Sequence, residues 1–146
     1  MELEGVFEMV SLLAFISWVL LFLFYPKQWV YTTLFSGVMV ILALTYIFFI
    51  FQGLTGPQEG GFDSLSGVRN LFSSDEALLA GWIHYLAFDL FIGMWISKDA
   101  WERHISRWLV IPCLVLTFML GPVGWLVYFI FRVFNSGRLQ QSPFQR

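Results

Sequence analysis

Charge is what this chain has least of. Only 12% of its 146 residues are Asp, Glu, Lys or Arg, about half the share of an ordinary soluble domain. The formal balance is −2 and no basic block occurs, so nucleic acid is excluded as a partner. Cysteine appears once, as Cys113 in an apolar run, which excludes an intramolecular disulfide and any cysteine-pair metal site. Histidine appears twice, His84 and His104, with neither a His-x3-His nor a Glu-x2-His pair, so no metal site is expected. The amino terminus, Met1-Glu2-Leu3-Glu4, lacks the basic region of a secretory signal and the Arg/Ser richness of a transit peptide. Read as mature, the chain points to a bacterial-type inner membrane or a thylakoid.

What remains is apolar: 58% of residues are hydrophobic and 20% aromatic, and the mean hydropathy is +0.73. Four runs, residues 6–25, 29–51, 77–96 and 108–131, are each long enough to cross about 30 Å of hydrocarbon as a helix. Lipid leaves no water for an unpaired backbone, so only helices or a closed barrel span it, and continuous apolar runs are not the alternating pattern of barrel strands. The expected architecture is all-α, a single membrane domain over residues 1–146 built as a bundle of four transmembrane helices.

Between the second and third runs, Phe62, Leu65, Val68, Leu71 and Phe72 recur at helical spacing opposite Asp63, Ser66, Arg69 and Asn70. Residues 62–72 therefore read either as a short amphipathic helix lying in the membrane interface or as a surface loop with one helical turn. Ser73 and Glu76 fit a capping box at the start of the third run. The third connection, residues 98–107, is the densest in charge, is flanked by Trp95, Trp101 and Trp108, and sets Asp99 four residues from Arg103, a pair if that stretch is helical. With four spans, Arg69, Arg132, Arg138 and Arg146 share one side and Lys27, Lys98, Arg103 and Arg107 the other. Four against four leaves the orientation open, and residues 133–146 form a polar tail.

Chemistry concentrates in the third run. A carboxylate at membrane depth costs roughly 2.5 to 3.5 kcal/mol on insertion scales and is seldom kept without a use. Asp89 is that carboxylate, and a desolvated aspartic acid can serve as general acid or base. His84 is its candidate partner, although five residues place the two about 140° apart on a helix. The structural alternative makes both groups interhelical hydrogen-bonding posts. Asp75, Trp82, Asp89 and Ile96 fall on one stripe, with Tyr85 and Gly93 four residues to either side of Asp89. Trp82, Tyr85, Gly81 and Gly93 are candidate substrate-binding residues, the glycines letting a flat ligand or a helix come close. Asp75, Glu76, Asp99 and Pro122 complete that candidate set, although Glu76 also reads as a cap. In the fourth run, Gly121-Pro122-Val123-Gly124 predicts a kink that frees a carbonyl near Phe118 or Met119, and Arg132 would reach up to the headgroups. Seventeen Phe, seven Trp and five Tyr are enough to line a groove for a long flat or polyisoprenoid molecule, or simply to face lipid.

The stretch from Gly81 through His84, Tyr85 and Asp89 to Phe91, preceded by Ser64-Leu65-Ser66-Gly67-Val68-Arg69 and followed by Asp99 and Phe118 to Gly124, resembles the abscisic acid-deficient-like family of small four-helix membrane proteins. The resemblance covers roughly residues 62–132; the first two runs are similar only in being apolar. It implies an isomerase-type activity on an epoxy-carotenoid, as in the neoxanthin formation from violaxanthin that requires the plant member. In that chemistry the epoxide oxygen gains a proton, the ring opens, and the polyene loses a proton. No cofactor is required, and Asp89 and His84 would carry the exchange. A related carotenoid or other isoprenoid membrane lipid is the broader substrate class. A non-catalytic carotenoid- or lipid-binding protein, partnered with pathway enzymes, is the alternative. A proton or ion relay through Asp89 would need a homo-oligomer.

Overall fold

Apolar runs become helices here because each run is uninterrupted, and each ends where the sequence breaks it. The computed structural model of the protein describes residues 2–55 and 60–137, and helices are the only regular secondary structure among them. Helix α1, Leu3–Phe24, stops before Pro26, whose ring disfavours helical backbone in Tyr25. Lys27 N–H closes the turn on Phe24 O at 2.8 Å. Helix α2, Gln28–Leu54, contains a π-helical turn at Leu34–Val38. The seven-residue helix α3, Leu65–Leu71, is capped by Ser64, whose hydroxyl accepts from Gly67 N–H at 3.0 Å. None of its residues is buried, and Phe62 and Leu65 stand 87% and 78% exposed.

Helix α4 runs through Asp75–Glu102, longer at both ends than the expected third run. Its cap is Ser74, one residue later than the capping box suggested: the Ser74 hydroxyl accepts from Ala77 N–H at 3.2 Å, while Ser73 donates to Asn70 O at 2.7 Å and finishes α3. Glu76 is consequently the second residue of the helix rather than the third, and does not complete the box. Extension to Glu102 makes residues 98–102 helical, so Asp99 and Arg103 meet as foreseen, with Arg103 Nε 2.9 Å from both carboxylate oxygens.

The expected fourth span is two helices. Helix α5, Arg107–Leu120, ends at Gly121, and helix α6, Pro122–Ser136, folds back against it. Gly121 takes φ +50° and ψ −102°, a conformation that a side chain opposes. Pro122 then starts α6, where its missing N–H costs nothing. The two helices approach so closely that a Cβ on Gly124 would overlap Thr117 and the Cys113 carbonyl oxygen. The predicted kink is thus a full reversal, because a glycine at the break allows the chain to turn rather than bend. Three helices, Leu3–Phe24, Gln28–Leu54 and Asp75–Glu102, are long and apolar enough to cross a membrane, and α5 and α6 are shorter apolar helices.

The chain forms two compact units: residues 1–16 with 33–88, and residues 17–32 with 89–146. In the first unit, the end of α2 meets the start of α4, where Gly53 sits against Ala77. Trp18, Leu21, Val30, Leu90, Ile96, Val110, Leu114 and Tyr128 are buried within the second unit. The hairpin brings Arg132 back to Asp99, so this cation lies beside Arg103 instead of at the far end of a fourth span. Arg138 and Arg146 lie outside the described residues, as does the end of the polar tail. Cysteines placed at Lys27 and Gly137, with Cys113 replaced, should react with an impermeant maleimide from the same side of the membrane. A continuous fourth span would put them on opposite sides.

Candidate functional site

Two helices start beside one another in the first unit, each with a carboxylate in its first turn: Glu4 in α1 and Asp75 in α4. Acids are favoured there by the helix dipole. Between them opens a cavity of about 730 Å³, also lined by Phe7, Phe72, Leu78, Gly81, Trp82 and Tyr85. Its wall is a run of rings. Trp82 stacks on Tyr85 at 5.4 Å between centroids, and Phe7 leans on Trp82 at 5.6 Å. Trp82 Nε1 donates to Ser11 Oγ at 3.0 Å, which fixes the indole against α1. Gly81 leaves room for the Phe72 ring, where a Cβ would collide with it. The volume is in the range that holds small ligands, and the lining is the usual combination of apolar walls with a few polar groups.

Four of the sequence candidates, Asp75, Gly81, Trp82 and Tyr85, therefore share this cavity. Glu4 and Phe7 join them without having been singled out, as does Phe72, which the sequence marked only as part of the amphipathic stretch 62–72. The signal for the first two was an acid and an aromatic three residues apart opening an apolar run, and it has meaning only once α1 and α4 lie side by side. Glu76 is half-buried and does not line the cavity.

His84 and Asp89 have different surroundings. His84 is exposed, stacked on Phe88 at 4.4 Å and tilted to Tyr46 at 5.8 Å. Asp89 is buried in the second unit, with its Oδ1 2.8 Å from the point where Gly121 would carry a Cβ. The carboxylate thus lies at the turn that opens α6, where the helix dipole attracts an anion. Gly93, one turn further along α4, makes room for the buried Trp18 ring. Pro122 begins α6 and is exposed.

Asp99 sits in a separate buried cluster. Besides Arg103, its carboxylate takes two contacts from the Arg132 guanidinium, Nε at 3.0 Å and Nη2 at 3.2 Å, and a hydrogen bond from Tyr128 at 2.6 Å. The Arg132 side chain is 2% exposed and lies 5.5 Å from the Trp95 ring centroid, while Trp95 meets Tyr128 edge-on at 5.8 Å. Arg132 was expected to reach for headgroups; it turns inward because the hairpin delivers it to a carboxylate. Two arginines, one acid and a tyrosine in mutual contact are an architectural lock. Among the described residues no group of three His, Cys, Asp or Glu side chains is arranged to hold a metal ion.

Comparison with known proteins gives two matches. The family described as ABA DEFICIENT 4-like matches residues 5–128, which takes in the first two apolar runs as well as the stretch where the resemblance was visible. A curated relative, "Protein ABA DEFICIENT 4, chloroplastic" of Arabidopsis thaliana, is 30% identical over 100 residues, covering 62% of this chain and 43% of that protein. The chain thus aligns with less than half the length of that relative. No solved structure matches.

Proposed function

Since the chain belongs to the ABA DEFICIENT 4-like family, we propose that it is an integral membrane protein of thylakoid or bacterial inner-membrane type that binds a carotenoid-like or related isoprenoid lipid and isomerises it by proton transfer. The observation that carries this reading is the 730 Å³ cavity with aromatic walls and the two carboxyl groups of Glu4 and Asp75 at its lining. A conjugated or prenylated end group packs its apolar faces on Phe7, Trp82 and Tyr85, and an oxygen on that end group meets the carboxyls. One carboxyl donates a proton to an epoxide oxygen as the C–O bond breaks; the other takes a proton from the adjoining carbon chain. The product is an isomer, so neither an oxidant nor a cofactor enters the balance. Asp89 in this reading holds the start of α6, and His84 faces outward.

Asp75→Asn should lower formation of the new carotenoid isomer in a carotenoid-producing host about a hundredfold or more, while pigment still co-purifies; chromatography of the extracted pigment reads this. Asp89→Asn should lower the amount of folded protein and leave product per folded chain intact. If Asp89→Asn removes product from fully folded protein, the proton-transfer group is Asp89 and the cavity carboxyls are only contacts. A second reading, carotenoid binding without chemistry in partnership with pathway enzymes, draws support from the separate surroundings of His84 and Asp89. It predicts bound pigment that is unchanged by wild type and variant alike.

A further inference from the structure

Where α4 ends, the backbone does something a histidine seldom does. Ile105 N–H bonds to Ala100 O at 2.9 Å and His104 N–H to Trp101 O at 3.2 Å, the paired bonds of a Schellman motif. His104 holds the left-handed position of that motif at φ 55°, a place ordinarily filled by glycine. A side chain there costs on the order of 1 kcal/mol against glycine, and an observed outlier of this sort is a reason to look for a use. His104 lines a cavity of about 330 Å³ together with Tyr25, Trp101 and Arg107.

Arg107 is fixed in this cavity with donors to spare. Its Nη2 donates to Phe22 O at 2.7 Å and Leu23 O at 3.4 Å, tying it to the end of α1, and its guanidinium lies 5.4 Å from the Tyr25 ring centroid. Its Nε and Nη1 donate to no described residue. Tyr25 and Trp101 meet edge-on at 6.3 Å and wall the space. The lining holds an arginine and a histidine and no carboxylate. Arg107 also begins α5, and Ser106 before it makes no side-chain capping bond, so the positive end of that helix adds to the field. Exposed Trp29, Trp101 and Trp108 and the cations Lys27 and Lys98 belong to the same unit, a composition suited to headgroup depth.

We propose that the cavity formed by Tyr25, Trp101, His104 and Arg107 binds the phosphate of an anionic membrane lipid, the guanidinium and imidazole donating to its oxygens and the two rings packing on the glycerol portion. The proposal rests on the membrane reading of the chain and is independent of any isomerase activity. It is tested on the detergent-purified full chain by native mass spectrometry with phosphatidylglycerol as the probe. Wild type should retain one phosphatidylglycerol per chain. Arg107→Gln and His104→Gly should each weaken retention about tenfold or more, the loss of a charge-assisted or directed hydrogen bond. His104→Gly is the decisive variant, because glycine suits the left-handed position and keeps the helix end formed, as an unchanged circular dichroism spectrum would record. Wild-type retention in folded His104→Gly and Arg107→Gln overturns the site. Millimolar inorganic phosphate should leave the lipid bound; displacement by it overturns the lipid assignment in favour of a free phosphate. Asp75→Asn, in the other unit, should retain lipid as wild type does.

Discussion

Asp99→Ala should destabilise the protein by about 3–5 kcal/mol, the loss seen when one partner of a buried ion pair is removed and the other is left behind. The groups left behind are a 2%-exposed Arg132 and the hydroxyl of Tyr128. Arg103 can turn outward, being 22% exposed, so the penalty falls mainly on Arg132. Trp95 softens it slightly through its ring face but cannot replace a carboxylate. The measurement is unfolding by denaturant in a fixed detergent. Adding Arg132→Met should recover most of the loss, since replacing a buried pair by apolar groups of similar volume is often neutral or better. Tyr128→Phe should cost much less, near the roughly 1 kcal/mol of a single hydrogen bond. A loss below about 1 kcal/mol for Asp99→Ala would mean that the cluster is solvated and the hairpin is held elsewhere.

Gly121→Ala should be nearly as damaging, for two separable reasons. At φ +50° and ψ −102° a Cβ strains the backbone, by about 1–3 kcal/mol. The added methyl would also stand 2.8 Å from Asp89 Oδ1, so the carboxylate must leave its position at the start of α6. A double-mutant cycle with Asp89→Gly separates the two: the strain survives in the double variant and the collision does not. Their coupling should be at least about 0.5 kcal/mol, the scale for groups in contact. Additive effects would mean that Asp89 does not face the turn, and would return it to the list of groups free for chemistry.

Hydropathy made three helices legible from the sequence, and the spacing of Asp99 and Arg103 made their pair legible too, because both are local properties of one segment. The hairpin was not. Residues 108–131 have the length and composition of a span, and hydropathy is blind to the direction of the chain inside a run. Gly121 and Pro122 marked the break correctly, but a kink and a reversal begin from the same residues; only the match between Arg132 and Asp99 and the fit of Gly124 on Thr117 decide between them. The cavity shows the same division. Asp75, Gly81, Trp82 and Tyr85 were visible as one helix's worth of candidates, whereas Glu4 and Phe7 became neighbours only through the packing of α1 on α4. His84 and Asp89 drew notice as polar groups in an apolar run, and their arc of about 140° on one helix already warned that they need not act together.

The reversal at Gly121 bears on how the protein is made. A fourth spanning helix would put everything that follows it on the opposite side of the bilayer from its own start. A hairpin whose second arm returns to the carboxylate beside its first requires no such crossing: with Arg132 bound to Asp99, α6 ends on the side where α5 begins. The last segment can then enter after synthesis ends, as a preformed pair of short helices docking on the finished part of α4. Truncation before Gly121 should accordingly leave three helices inserted and stall assembly at a late and recoverable step, rather than abolish insertion.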